Sequence, residues 1–273
     1  MLKECLDNVR ARTPLIHNIT NYVTVNDCAN VLLACGSSPV MADDIREVEE
    51  IVAISSGLNI NIGTLNHSTI SSMSAAGKKA NVLGLPVILD PVGAGASTLR
   101  TETALMLMNE VQFTVIKGNI SEIKTLASGS GATKGVDADL ADLITDATRV
   151  AAVDSAKAFA RETGAIIVIT GAVDIVTDGT TTYAVHNGHS MLSKITGTGC
   201  MLSAMTAAYV AANPNNVLEA TLASVCAMGL CGEKAYARMS GRDGNATFKI
   251  YLIDAIYTLG GKTLESGAQY EIC

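Results

Sequence analysis

Residues 86–122 read PVILDPVGAGASTLRTETALMLMNEVQFTVIKGNISE. The apolar run Pro86–Asp90 is short and β-branched and ends in a Gly-rich turn, which predicts a buried strand. Residues 99–111 then carry apolar positions at helical spacing. A second β-branched run, 113–117, follows at once. A strand, a helix and a strand in this order are one crossover unit of a parallel sheet. The same alternation extends in both directions. Strands are expected over 14–19, 58–63 and 165–170, and helices over 25–35, 44–55 and 68–84. Residues 174–188 break the rhythm, because two strand-like runs flank Asp178-Gly179, a hairpin signal. Residues 127–142 are Gly/Ser-rich, then acidic, and predict an exposed loop leading into a helix. Past Gly199 the chain is expected to be wholly helical, over 200–212, 216–238 and 245–259. No stretch divides the chain and no segment repeats, so residues 1–273 are expected to form one α/β domain with a mainly parallel central sheet and helices on both faces.

Composition excludes several classes. Hydrophobic residues make up 48% and charged residues 16% of 273, yet the longest apolar segment, Ala220–Cys231, is closed by Glu219 and Glu233. That is short of the roughly 18 to 20 residues a spanning helix needs. No signal-peptide pattern opens the chain. With net charge −7, no Trp and three Phe, there is no basic, aromatic stripe for nucleic acid. Seven cysteines at irregular spacing predict reduced thiols and a cytoplasmic location, not a disulfide framework. Zinc spacing is absent, His186 and His189 included. The sequons at Asn18, Asn66, Asn119 and Asn245 carry no weight without a secretion signal.

In an open α/β sheet, ligands bind beyond the carboxyl ends of the strands. Two phosphate motifs fail there. Gly-Lys-Thr at 261–263 lacks the P-loop's first glycine, because position 256 is Ile. Asp90–Thr98 imitates a dinucleotide fingerprint, but Thr98 replaces the third glycine. Three features survive. Asp90 closes a strand ahead of Gly-Ala-Gly, either as a turn cap or as a ligand-facing carboxylate. Asn119 and Glu122 form a capping-box pattern, which also sets a carboxylate just past a strand that ends in Lys117. Lys194–Ala204, KITGTGCMLSA, runs a Gly-rich loop into a helix start. It is either a tight turn or an anion site built from open amides and the helix dipole. Two carboxylates, a basic residue and an anion hole together suggest Mg²⁺-assisted phosphoryl transfer.

These residues carry a resemblance. NISE (119–122) resembles the N-x-x-E motif of the ribokinase-like superfamily, and GTGC (197–200) its anion-hole motif. LIHNITNYVTVNDCAN (15–30), GSSPVMA (36–42), NIGTLN (61–66), DPVGAGA (90–96) and residues 176–200 together resemble the hydroxyethylthiazole kinase family, over nearly the whole chain. The resemblance implies a three-layer α/β/α sandwich. It also implies transfer of the ATP γ-phosphate to 4-methyl-5-(2-hydroxyethyl)thiazole, a salvage step toward thiamine, by a homotrimer with active sites between subunits. Carried over by position, Met41, Gly197, Asn21 and Gly63 would line the thiazole pocket. Asp90 and Glu122 would organise Mg²⁺, and Lys117, Asn119 and Thr170 would meet ATP. The amides of Gly197, Thr198, Gly199 and Cys200 would form the anion hole.

Two positions depart from the pattern. Lys117 stands where many members have arginine, keeping the charge but losing the bidentate fork. Cys200 stands where most of the superfamily has an aspartate base. A free thiol has a pKa near 8.5, and a helix N-terminus is expected to favour its thiolate. A loose transition state asks little of a base, so Cys200 is expected to position the hydroxyl. The rival readings are a pyrimidine or pyridoxal kinase of the same superfamily, a nucleotide-sensing module, and, more distantly, an NAD-dependent oxidoreductase.

Overall fold

The computed structural model describes residues 1–129 and 149–273, so the loop expected over 127–142 lies, beyond Gly129, outside the described residues. Among them one nine-stranded sheet runs in the order β2-β1-β3-β4-β5-β6-β7-β8-β9. Its strands are β1 (Leu15–Ile19), β2 (Ser38–Met41), β3 (Gly57–Asn61), β4 (Val87–Asp90), β5 (Val115–Asn119), β6 (Ile166–Thr170), β7 (Asp174–Thr177), β8 (Thr182–Val185) and β9 (Tyr270–Ile272). Neighbours from β2 to β6 pair parallel, and β7, β8 and β9 add antiparallel at one edge.

The parallel strands are buried on both faces, so their side chains alternate between two apolar layers. Ile88, Val115 and Val168 face one core, which also holds residues of α1 (Leu2–Arg12), α2 (Val25–Cys35), α8 (Thr198–Ala212), α9 (Val217–Ala237), α10 (Asn245–Thr258) and α11 (Gly261–Gly267). Leu89, Ile116 and Ile167 face the other. It is covered by α3 (Val48–Ile54), α4 (His67–Val82), α5 (Thr98–Glu110), α6 (Ile120–Ser128) and α7 (Arg149–Thr163). The result is the expected three-layer α/β/α sandwich. β2 and β3 flank β1 on opposite sides, so the strand order reverses at β1, where open sheets leave a crevice at their carboxyl ends.

Local chemistry sets the element ends. Asn119 and Glu122 close a full capping box on α6, and Asn66 with Thr69 does the same on α4. The hairpin forms as expected: Asp178 Oδ1 accepts from the Thr180 and Thr181 amides, and Gly179 takes φ 88°. The helix expected over 44–55 starts only at Val48. Asp44 Oδ1 instead accepts from Arg46 N and Nε in a local turn that competes with the helix.

The expectation of an all-helical segment past Gly199 is incorrect. Residues 270–272 form β9 on the hairpin's open edge, and Tyr270 packs edge-on against Tyr183. All three β9 residues are exposed, so no hydrophobic alternation announces the strand. β2 likewise escapes the strand pattern, since Pro39 sits in it, a residue tolerated only at a sheet edge.

Candidate active site

The period of two that builds the core also builds the site. Two residues past Ile88, Asp90 points to the α8 side of the sheet, and Lys117 does so two residues past Val115. Asn61 reaches the same side from β3. All three strand ends therefore meet under the first turn of α8, from which Cys200 and Ser203 face them.

Asp90, 1% exposed, is held asymmetrically. Its Oδ2 accepts from Asn61 Nδ2 at 2.8 Å and from Ser203 Oγ at 2.7 Å. Its Oδ1 lies 3.3 Å from Lys117 Nζ, an ion pair outside hydrogen-bond geometry, and no donor reaches this buried oxygen. Lys117 Nζ instead donates to Gly199 O at 3.0 Å, joining β5 to α8. Burial works against this ammonium, but Asp90, then Cys200 and Glu122, outweigh it and hold its pKa above the ordinary value.

Glu122 takes its place from the capping box: Oε2 accepts from Asn119 N and Oε1 from Gly93 N, both at 2.8 Å. Burial, reinforced by the negative charge of Asp90, pushes this carboxyl up to about 7. Gly93 sits at φ 76°, in the loop that Asp90 and Pro91 open. Arg100 braces that loop from α5, donating to Val92 O at 3.4 Å and to Gly63 O at 2.7 Å.

Toward β1 the site continues as a chain of amides. Asn21 Oδ1 accepts from Thr24 N and Oγ1, and Asn21 Nδ2 donates to Asn61 Oδ1 at 2.9 Å and to Cys200 Sγ at 3.3 Å. Gly63 N also donates to Asn61 Oδ1. Met41 ends β2 in register with Asn18 and packs on the core that contains Cys200.

Gly197 caps α8 at φ 91° and offers no side-chain acceptor. The amides of Thr198, Gly199 and Cys200 lie in the first turn, where no intrahelical acceptor exists. They present an anion-binding concavity beside Asp90. A Cβ at Gly197 would stand 2.6 Å from Thr24 Cγ2, so the loop admits no larger residue at that contact. Thr198 Oγ1 donates to Leu192 O, which ties the loop to the preceding 3₁₀ turn.

The expectation of a thiolate-favouring site at Cys200 is not met. Burial, then the charge of Asp90, raises the thiol's pKa against the opposing pull of Lys117, Thr24 and Asn21. With its pKa above the ordinary value, Cys200 is a protonated thiol at neutral pH.

The sequence-derived residues thus fall into two adjoining groups. Asp90, Lys117 and Gly199 are linked by an ion pair and a hydrogen bond, and Asn61 joins Asp90 to Gly63 and to the Asn21–Cys200 pair, whereas Glu122 and Asn119 bond each other beside Gly93. Thr170 joins through Gly118, whose carbonyl accepts from its Oγ1 at 3.4 Å, and pairs with Asn119 across β5 and β6. Met41 enters by packing alone. Sequence reasoning missed Asn61, Ser203, Thr24 and Arg100. A signal existed for Asn61, since Asn59 and Asn61 alternate with apolar residues in a strand buried on both faces, where a polar side chain needs a partner.

Among the described residues no three His, Cys, Asp or Glu side chains cluster as a metal site. A hollow of about 670 Å³ between α3, α4 and α5 is no rival, since its Ser74, Lys78 and Glu110 already satisfy one another. No helix among the described residues is long and apolar enough to cross a membrane.

A family model described as the hydroxyethylthiazole kinase family matches residues 6–262. Hydroxyethylthiazole kinase of Clostridium acetobutylicum is 65% identical over 271 residues, 99% of either chain. That of Ruminiclostridium cellulolyticum is 50% identical over 251 residues, 92% of this chain and 90% of the relative. The solved structure of the Pyrococcus horikoshii hydroxyethylthiazole kinase protein superposes with TM-score 0.87 at 38% identity, covering 100% of this chain and 98% of that one. Pyridoxal kinase of Staphylococcus aureus, at TM-score 0.63 and 14% identity, shares the fold.

Proposed function

The chain belongs to the hydroxyethylthiazole kinase family, and from that premise we propose that it phosphorylates the hydroxyl of 4-methyl-5-(2-hydroxyethyl)thiazole with ATP, salvaging the thiazole for thiamine. One observation carries the reading. The open amides of α8 stand beside a buried carboxylate, between strand ends that offer a polar pocket on one side and the Glu122 loop on the other.

Phosphoryl transfer needs positioning and charge neutralisation more than covalent chemistry. In our reading the amides of Gly197 to Cys200 receive the charge that develops on the transferred group. The thiazole alcohol lies on the β1–β3 side, against Met41, Asn21, Gly63 and Gly197. Cys200, protonated and accepting from Asn21, orients the hydroxyl and is not phosphorylated. ATP enters over the ends of β5 and β6, near Asn119 and Thr170. Lys117 supplies positive charge under the phosphates and, by bonding Gly199 O, fixes the peptide that aims the Cys200 amide.

The donor set fits Mg²⁺: a buried Asp90 oxygen without a donor, a nearby Glu122 carboxylate, and too few protein ligands for a closed cage. When bound, Mg²⁺ would neutralise the phosphate oxygens, and Asp90 and Glu122 would hold it through water. Residues 1–273 act as a single kinase domain, and seven free thiols suit the cytoplasm. Three copies assemble with active sites at their interfaces, a reading supported by the exposure of Tyr22 and Val23 next to Asn21.

The test is a phosphate-transfer assay with the thiazole alcohol, hydroxymethylpyrimidine phosphate and pyridoxal, each with and without Mg²⁺. We expect product from the thiazole alone, and only with Mg²⁺. Preference for another alcohol overturns the substrate, and no product from any of the three revives a binding-only protein.

A further inference from the structure

We infer that Asn61 is a positioning residue that sets the carboxylate Asp90 and the acceptor-alcohol pocket as one unit. The inference rests on the proposed kinase reading and adds to it a residue that touches neither ATP nor the alcohol.

Asn61 is 1% exposed and ends β3. Its two amide atoms face opposite ways. Nδ2 donates to Asp90 Oδ2 at 2.8 Å, whereas Oδ1 accepts from Asn21 Nδ2 and from Gly63 N, each at 2.9 Å. The orientation has one solution. Turning the amide over would set its oxygen against the Asp90 carboxylate and its NH₂ against two donors. The carboxylate therefore dictates the direction of Asn61, and Asn61 dictates that of Asn21. Asn21 is then left with an N–H for Cys200 Sγ and an oxygen for Thr24. In a chain of this kind, buried and with every named atom engaged, a change at one end is passed to the other.

Ser203 is the internal comparison. It also donates to Asp90 Oδ2, but its other bond goes to Gly199 O on its own helix. Ser203 thus serves the carboxylate and its own helix, Asn21 serves the pocket, and Asn61 joins the carboxylate to the pocket.

The experiment compares Asn61→Leu, Asn21→Ala, Ser203→Ala and the double variant Asn21→Ala/Asn61→Leu in the full-length protein. One readout is the Kd of the acceptor alcohol by calorimetry without nucleotide or metal, and the other is the Mg²⁺ concentration for half-maximal rate. The alcohol used is whichever the wild type phosphorylates, so loss of the thiazole reading leaves this test intact. Losing buried hydrogen bonds should cost roughly fivefold to twentyfold per readout. Asn61→Leu should shift both, Asn21→Ala only the Kd, and Ser203→Ala only the Mg²⁺ requirement. The double variant should bind the alcohol within about twofold of Asn21→Ala, because Asn61 reaches the pocket chiefly through Asn21. A shift in only one readout for Asn61→Leu, or Kd losses that multiply, overturns the inference. If Asn61→Leu does not fold, Asn61→Ala replaces it: both amide bonds are lost, so both readouts should shift, and a shift in only one or wild-type values in both overturn the inference.

Discussion

Lys117 joins stability to the proposed chemistry in a single side chain. It is buried with Asp90 1% exposed beside it, so the pair is either complete or costly. Lys117→Ala leaves a buried carboxylate without its counter-charge and should destabilise the protein by about 3–5 kcal/mol. In the same variant the KM for ATP should rise, and in Lys117→Arg it should stay level or fall, because the guanidinium fork grips phosphate on two points. Thermal unfolding and steady-state kinetics read the two effects separately. Unchanged KM values in both variants would remove Lys117 from the nucleotide site. Glu122 makes a second prediction. Its folded-state pKa of about 7 lies above the ordinary carboxyl value. Its contribution to stability is therefore fully present below about pH 4.5 and is lost as pH rises through 7. Metal-free wild type should lose a few kcal/mol across that window, at about 1.4 kcal/mol per pH unit. Glu122→Gln should have a shallower slope, whatever its absolute stability, and keep the part that belongs to Asp174, whose carboxyl burial also pushes up to about 7. Equal slopes in urea unfolding at pH 5 and pH 8 would refute the assignment.

The proposed mechanism places the work of the first turn of α8 in backbone, which changes what mutagenesis should find. Gly197 holds φ 91°, where a side chain costs roughly 1–2 kcal/mol, and its Cβ would also strike Thr24. Gly199 has room for a Cβ only against the Lys117 ammonium at 3.2 Å. Gly197→Ala and Gly199→Val should therefore each lower kcat more than Cys200→Ala, since they tilt or block the amides. Cys200→Ser should lose less than about 10⁴-fold, the usual reach of general acid–base catalysis. A larger loss for Cys200→Ser, or a smaller one for the glycine variants, would return the thiol to the centre of the mechanism.

On the scale of the assembled protein, the site lies at one end of the sheet, where the strand order reverses about β1. Tyr22 is 77% exposed and Val23 56%, although both follow the buried Asn21. Two exposed apolar side chains at the mouth of a polar pocket gain by being covered. Light scattering should give about three times the 28.2 kDa chain mass. Tyr22→Glu should shift that mass toward the single chain and lower activity together with it. A fully active single chain would reject the assembly.

Much of this was legible in the residues themselves. The alternation of β-branched runs with helical segments is local, so the parallel sheet, its two helical layers and the hairpin at Asp178-Gly179 followed from periodicity. Asp90, Lys117, Asn119 and Glu122 were visible because each sits next to a strand end, and the Gly-rich loop because open amides at a helix start have a chemical meaning of their own. Other features depend on partners distant in the chain. β9 exists because the hairpin leaves an edge to pair, and three exposed residues carry no pattern. The roles of Asn61 and Ser203 rest on Asp90, 29 and 113 residues away. The thiol of Cys200 is protonated because packing removes water from it, and no residue beside it in the chain reports how much water remains. Period and turn chemistry are written along the chain, whereas hydration and hydrogen-bond partnership arise only when β1, β3, β4, β5 and α8 converge.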